Sequence, residues 1–146
     1  MKHRTCVREV HFSAGHRVSG HESVCANLHG HNYEAWIHCC PIDDLDALGR
    51  VIDFGVVKAK VGAWIDSHWD HGFVLWTHDS AGRAAMQAFE ASSGLTQKVF
   101  WLDRNPTAEN MAAALLEVAR SILSGYGIVV EKVVLFETPR CYAEVS

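Results

Sequence analysis

Between Thr5 and Ser13, β-branched and aromatic residues partly alternate with polar ones, and this period of two predicts a strand from about Arg4 to Ala14 that ends at Gly15 and His16. Residues 17 to 28 are polar, contain Gly20 and read as a loop. A second strand is predicted from about Gly30 to Cys40, where Pro41 stops it. The two strands, joined only by that loop, should pair antiparallel. The spacing then changes to a helical one. Asp53 is a suitable N-cap for a helix over Phe54 to His68, on which Val57, Val61, Trp64 and Ile65 form an apolar stripe. The run Phe73 to Trp76 is apolar. Residues 78 to 97 read as a surface excursion or a short helix over Arg83 to Ala91, dispensable for chemistry, and Lys98 to Leu102 as a short strand. A second helix begins behind Thr107 as N-cap and carries Met111, Leu115, Val118 and Ile122 to a stop at Gly125. Ile128 to Glu137 and Cys141 to Val145 close the chain as strands around a turn at Thr138 and Pro139. The expected fold is α+β: an antiparallel four-stranded sheet with two helices on one face, in the order β-β-α-α-β-β. No repeat or linker divides it, so residues 1–146 are expected to form a single domain. Such an open sheet leaves two edges to be covered, and closure between subunits is one way to cover them.

Composition narrows the classes. At 146 residues the chain can bury a core without needing a metal or disulfides merely to fold. With 49% hydrophobic and 21% charged residues it has the make-up of an ordinary globular protein. The net charge of −4 and the scattered Lys and Arg give no basic surface for nucleic acid. Met1 to Val10 carries Lys2, His3, Arg4 and Arg8 without the apolar run of a secretory signal, and no stretch is long enough to span a membrane. A cytoplasmic protein is expected. The five cysteines lack C-x-x-C spacing, so neither a disulfide framework nor an all-thiolate zinc site is expected, and most should be reduced and buried. An anionic substrate would have to be met by a local cation such as Arg17, or by a metal.

The candidate chemistry lies at residues 25 to 31. On a strand, His29 and His31 project from the same face with Gly30 between them, and two imidazoles there are two-thirds of a catalytic zinc site, which takes three protein ligands and keeps one open position. Antiparallel pairing would return His16 beside them. His21, in the loop, is a competitor less favoured by position, and His11 lies well inside the first strand. Cys25 is either a fourth ligand or a separate reactive group. Glu109 stands two residues after the Thr107 cap, so it does not complete a capping box and is free either to face a ligand or to complement the helix N-terminus. Asp70 and His71, just past a helix, could by themselves be ordinary turn residues.

Six blocks occur in order along nearly the whole chain: FSAGHR at 12 to 17, CANLHGH at 25 to 31, VIDF at 51 to 54, DHGFVL at 70 to 75, NPTAEN at 105 to 110 and FET at 136 to 138. On these the chain resembles the 6-pyruvoyl-tetrahydropterin synthase family, most closely its bacterial 6-carboxy-tetrahydropterin synthase branch.

The resemblance implies the tunnelling fold (T-fold), in which subunits join their sheets into a barrel, commonly a trimer stacked into a hexamer with sites at subunit interfaces. It implies Zn2+ on His16, His29 and His31, a catalytic set of Cys25, Asp70 and His71, and a pterin pocket made by Glu137 with the turn Thr107, Ala108 and Glu109. The implied reaction converts 7,8-dihydroneopterin triphosphate to 6-carboxy-5,6,7,8-tetrahydropterin with release of acetaldehyde and triphosphate, in pterin or 7-deazapurine (queuosine-precursor) biosynthesis. These residue types suit that chemistry. A metal or imidazolium nearby favours the thiolate, which fits Cys25 to proton abstraction. An aspartate beside a histidine orients it for acid and base work, and a carboxylate such as Glu137 matches the paired N–H donors of a pterin edge. Relatives with other products carry a Glu next to or in place of the cysteine; Ala26 stands there in this chain, which favours the cysteine-only type. Two alternatives remain: the pyruvoyl enzyme, with elimination but no carbon–carbon cleavage, and a non-catalytic zinc or pterin-binding module.

Overall fold

Alternation along Cys6–His16 (β1) turns Val10, Phe12, Ala14 and His16 inward and leaves Glu9 and His11 on the open side. His29–Pro41 (β2) repeats the pattern, burying Tyr33, Ala35, Ile37 and Cys39. In the computed structural model, which describes residues 2 to 146, these strands pair antiparallel from Cys6↔Cys39 to His16↔His29. The inward faces meet the helices Phe54–Val57 (α1), Ala63–His68 (α2) and Ala108–Ile122 (α4) around one core. A π-turn at Lys58–Gly62 joins α1 to α2, and its wider winding lets Val57, Val61 and Ile65, four residues apart, all stay fully buried. Asp53 and Thr107 cap their helices as expected: Asp53 accepts from Gly55 N–H at 2.7 Å and Thr107 Oγ1 from Asn110 N–H at 3.2 Å. No described helix is long and apolar enough to cross a membrane.

The sheet is larger than expected and mixed. It has six strands in the order β4-β3-β1-β2-β5-β6, adding Gly72–Trp76 (β3) and Val99–Leu102 (β4) to Ile128–Thr138 (β5) and Cys141–Val145 (β6). β3 lies parallel to the end of β1, pairing Ala14↔Gly72 to His16↔Val74, and β4 lies parallel to β3. Parallel neighbours need a crossover, which Ser80–Ser93 (α3) supplies. The expected four-stranded antiparallel sheet is therefore the centre and one flank of a wider one. Gly15 allows the added strand to approach, because a Cβ there would run into the Phe73 ring.

Of the two readings of the stretch from 78 to 97, the helix holds: it spans Ser80–Ser93 rather than only Arg83 to Ala91, adds a helix to the two expected, and is not a free excursion. Arg83 of α3 stacks its guanidinium 4.0 Å from the centre of the Trp101 ring on β4. Asp79, 2% exposed, caps α3 by accepting from Gly82 N–H at 3.0 Å and forms an ion pair with Arg17, which is 15% exposed. Arg17 in turn donates from Nε to the Ala26 carbonyl at 2.7 Å, so the helix is tied to the loop that carries Cys25. This pair also settles Arg17 itself, whose charge is spent within the fold rather than held out to an anion.

Breaking a buried pair from one side leaves the other charge uncompensated. Asp79→Asn should lower unfolding free energy by about 3 kcal/mol in a denaturant titration, with Arg17→Met/Asp79→Leu recovering much of the loss; an unchanged midpoint for the single variant would show that the pair holds nothing.

Candidate active site

The β1–β2 register places His16 directly opposite His29, and the strand period puts His31 on the same inward face. Their nitrogens gather: ligand atoms of His16, His29 and His31 all lie within 4.8 Å of one another, and His16 Nε2 is 3.1 Å from His29 Nε2. The other side of each of two rings is tethered. His16 Nδ1 lies 2.7 Å from the Pro106 carbonyl and His29 Nδ1 2.7 Å from the Asn27 carbonyl. A carbonyl only accepts, so both Nδ1 atoms carry hydrogen and, in the neutral rings, both Nε2 atoms present lone pairs. Two lone pairs 3.1 Å apart repel unless something positive lies between them. The donor set, three converging imidazoles of which two have their far nitrogens held by carbonyls, fits a divalent transition metal.

Electrostatics favour this state. Burial pushes the His16 pKa down to about 4 against the pull of the Pro106 carbonyl, with His29 and His31 lowering it further. Burial also lowers His31, opposed by Glu137 and assisted by His29. Protons are thus poor occupants of the cluster. Tyr33, stacked on Phe12 and 5.5 Å from the His31 ring, is buried with no partner for its hydroxyl among the described residues. Its pKa is raised by burial and then by Glu137.

A cavity of about 220 Å³ opens beside the cluster, lined among others by His16, Cys25, Thr107, Glu109 and Glu137. Glu137 comes from the end of β5 with Oε1 3.8 Å from His16 Nε2, and Ala108 completes the turn at the α4 N-terminus. Cys25 sits in a 3-10 turn, Val24–Ala26, that is pinned from several sides. Val18 N–H donates to the Cys25 carbonyl at 2.8 Å, Arg17 holds Ala26, and Ser19 exchanges two hydrogen bonds with the Asn105 side chain at 2.8 and 2.9 Å. His21 lines the same cavity yet stands outside the imidazole cluster, its Nδ1 accepting from Ser23 N–H at 2.9 Å.

Asp70 and His71 lie elsewhere. The pair borders a different depression, shared with His11, Asn32 and Glu34, and His71 also faces His29 and His31 across the end of the sheet. Asp70 Oδ1 accepts from Ser13 N–H at 2.9 Å, while Oδ2 lies 2.8 Å from His71 Nδ1. Burial works against the Asp70 carboxylate, but the Ser13 N–H and then His71 outweigh it and hold its pKa below the usual range. His71 has φ of 56°, left-handed backbone that is strained for a non-glycine residue, and its side chain is 83% exposed. One chain therefore gathers His16, His29, His31, Cys25, Glu109 and Glu137 in one region and leaves Asp70 and His71 outside the Cys25 cavity.

Several supports had no sequence signal of their own: the Pro106 and Asn27 carbonyls behind the imidazoles, Ser13 behind Asp70, and Asp79 behind Arg17. Asn105 and Pro106 stood out only as part of the NPTAEN block at 105 to 110. The five cysteines are free, as expected, although only Cys39 and Cys40 are buried and Cys141 is exposed.

Comparison with known proteins places this arrangement. Residues 5–146 match the family model described as 6-pyruvoyl tetrahydropterin synthase. A Rickettsia bellii protein named 6-carboxy-5,6,7,8-tetrahydropterin synthase is 39% identical over 141 residues, covering 96% of this chain and 98% of its own. A Haemophilus influenzae protein of the same name is 28% identical over 141 residues, covering 94% of each. Among solved structures, an uncharacterized protein from Wolinella succinogenes superposes with a TM-score of 0.83 at 24% identity, covering 99% of this chain and 98% of that one. The 6-pyruvoyl tetrahydropterin synthase of Caenorhabditis elegans gives 0.67 at 24% identity over 100% and 96% of the two chains. With the family model spanning all but the first residues, and a relative of this identity matched over nearly its full length, the chain belongs to the 6-pyruvoyl tetrahydropterin synthase family.

Proposed function

We propose that this protein is a zinc-dependent 6-carboxy-5,6,7,8-tetrahydropterin synthase, converting 7,8-dihydroneopterin triphosphate to the 6-carboxy product with release of acetaldehyde and triphosphate. The observation that carries the zinc is the pair of Nε2 lone pairs 3.1 Å apart, with both Nδ1 atoms committed to carbonyls. The names of the relatives support the choice of product; Ala26 after Cys25 favours the cysteine-only type and does not separate the two products.

His16, His29 and His31 would hold the ion. When bound, it polarises the hydroxyl and carbonyl oxygens of the substrate side chain and so acidifies the neighbouring carbon-bound hydrogen. Glu137 accepts hydrogen bonds from the pterin's amino and ring N–H groups, which orients the ring with Thr107, Ala108 and Glu109 at its edge. Cys25, on its pinned turn, takes the side-chain proton as thiolate. His71, oriented by Asp70, serves as the second acid–base group that the later proton transfers require.

The cavity of about 220 Å³ is smaller than the roughly 300 Å³ at which ligand pockets usually begin, and His71 lies outside it. Both facts support a site completed by a second copy of the chain, within a trimer or hexamer in which Cys25 and the Asp70 and His71 pair come from different subunits.

Product analysis tests the reaction. Purified protein given dihydroneopterin triphosphate should release acetaldehyde with the 6-carboxy product; a pyruvoyl product without acetaldehyde would make this the other enzyme of the family, and no triphosphate release would remove both. Cys25→Ala should keep zinc while turnover falls at least about 100-fold, whereas loss of zinc in that variant would make Cys25 a ligand. His16→Ala should empty the site by elemental analysis and His21→Ala should not; the reverse would exchange their roles. The metal-free protein should also respond to pH. His16 and His31 have lowered folded-state pKa values, so between pH 6.5 and about 4 the unfolded chain binds more protons than the native one. Its stability should therefore fall as the pH drops through that window, and a flat profile in denaturant titrations would contradict the buried neutral cluster.

A further inference from the structure

β2 carries a second group of ligand-type side chains at its far end. Ligand atoms of His3, Cys40 and Glu131 all lie within 4.8 Å of one another, and His3 Nε2 is 3.4 Å from Glu131 Oε2. Thr5 Oγ1 stands 3.0 Å from the same His3 nitrogen. Cys40 is nine residues beyond His31 on one strand, so this group lies about 30 Å from the imidazole cluster and shares no residue with it.

The backbone builds this meeting. β2 and β5 slip register between His38 and Cys39: His38 pairs with Lys132 but Cys39 with Val130, so Glu131 is an extra residue with no partner across the ladder. A bulge redirects the side chain it adds, and here it adds the carboxylate that reaches both Cys40 and His3. Lys132, the nearest cation of the same strand, is drawn instead to Glu144 at 3.2 Å. Two residues before Cys40, and on the same face of β2, the Nε2 of His38 is buried with no hydrogen-bond partner among the described residues. Burial pushes the Cys40 thiol pKa up, and the neighbouring Glu131 carboxylate raises it further.

A salt bridge explains little of this. An exposed pair such as His3 and Glu131 is worth about 0–1 kcal/mol, and it gives no reason for a nearly buried thiol to lie against a carboxylate. A cysteine, an imidazole and a carboxylate whose ligand atoms lie within 4.8 Å of one another are together a donor set for zinc.

We propose that His3, Cys40 and Glu131 form a second Zn2+ site, separate from the catalytic cluster, which fastens the N-terminal segment to the β2–β5 bulge. Ligation releases the Cys40 thiol proton to solvent, and three protein donors leave one position for water.

The test uses the full chain in its native assembly, in a Cys25→Ala background so that Cys40 is the cysteine that reports. Protein stripped with a chelator and titrated with Zn2+ alone should take up two tightly held ions per chain. With Co2+ alone it should develop a thiolate-to-cobalt charge-transfer band. Adding Cys40→Ser should abolish the band and leave one ion, and adding His3→Ala, at a side chain 67% exposed and therefore safe for folding, should also leave one. Adding His16→Ala should remove the other ion and spare the band, so failure at the catalytic cluster and failure here are told apart. Absence of the charge-transfer band before any His or Cys40 change, or a band that survives Cys40→Ser, would overturn the second site, whereas a single ion with the band present would mark loss of the catalytic cluster's ion in the Cys25→Ala background.

Discussion

The imidazole cluster of this fold depends on one pairing register. His16 and His29 face each other at the end of the β1–β2 ladder, and a slip of a single residue would turn one imidazole to the open side of the sheet. The inward faces of both strands are fully committed to the core through Phe12, Tyr33, Ala35 and Ile37, so the hydrophobic effect that fixes the fold also fixes the distance between the imidazoles. The carbonyls of Pro106 and Asn27 then decide which nitrogen of each ring faces inward.

Around this centre the supporting groups come from stretches far apart in sequence. Pro106 precedes α4, Ser13 on β1 holds Asp70, and Asp79 at the head of α3 holds Arg17 and through it the turn of Cys25. The helix that adds nothing to the central core thus has its effect at the loop that carries Cys25.

Much of this was legible in the chain. The alternation around Phe12 and Tyr33, the caps Asp53 and Thr107, and the stripe Val57, Val61, Ile65 gave the central strands and the main helices, because each is a local pattern with a local cause. The H-x-H spacing put His29 and His31 on one face, and strand pairing offered His16 as their return partner with His21 as a competitor, the choice between them resting on the family resemblance. β4 was legible as the short strand over Lys98 to Leu102 and β3 only as an apolar run; what the chain did not show is their parallel pairing, which is decided by Gly15 and a crossover helix rather than by their own residues. The tie from Arg17 to Asp79 was invisible for a related reason, since two charged residues 62 positions apart announce no contact until the sheet brings them together. The bulge at Glu131 is likewise a property of two strands and not of one.

His71 combines a strained backbone with an almost free side chain. Its peptide unit is held by the N–H bond to the Ser13 carbonyl at 2.7 Å, and its ring by Asp70 alone. The conformational freedom left to this residue is therefore that of two side-chain torsions, already biased by one hydrogen bond, and not that of a mobile segment. The entropy of fixing its backbone is lost once, when the chain folds, and not again whenever the ring is engaged.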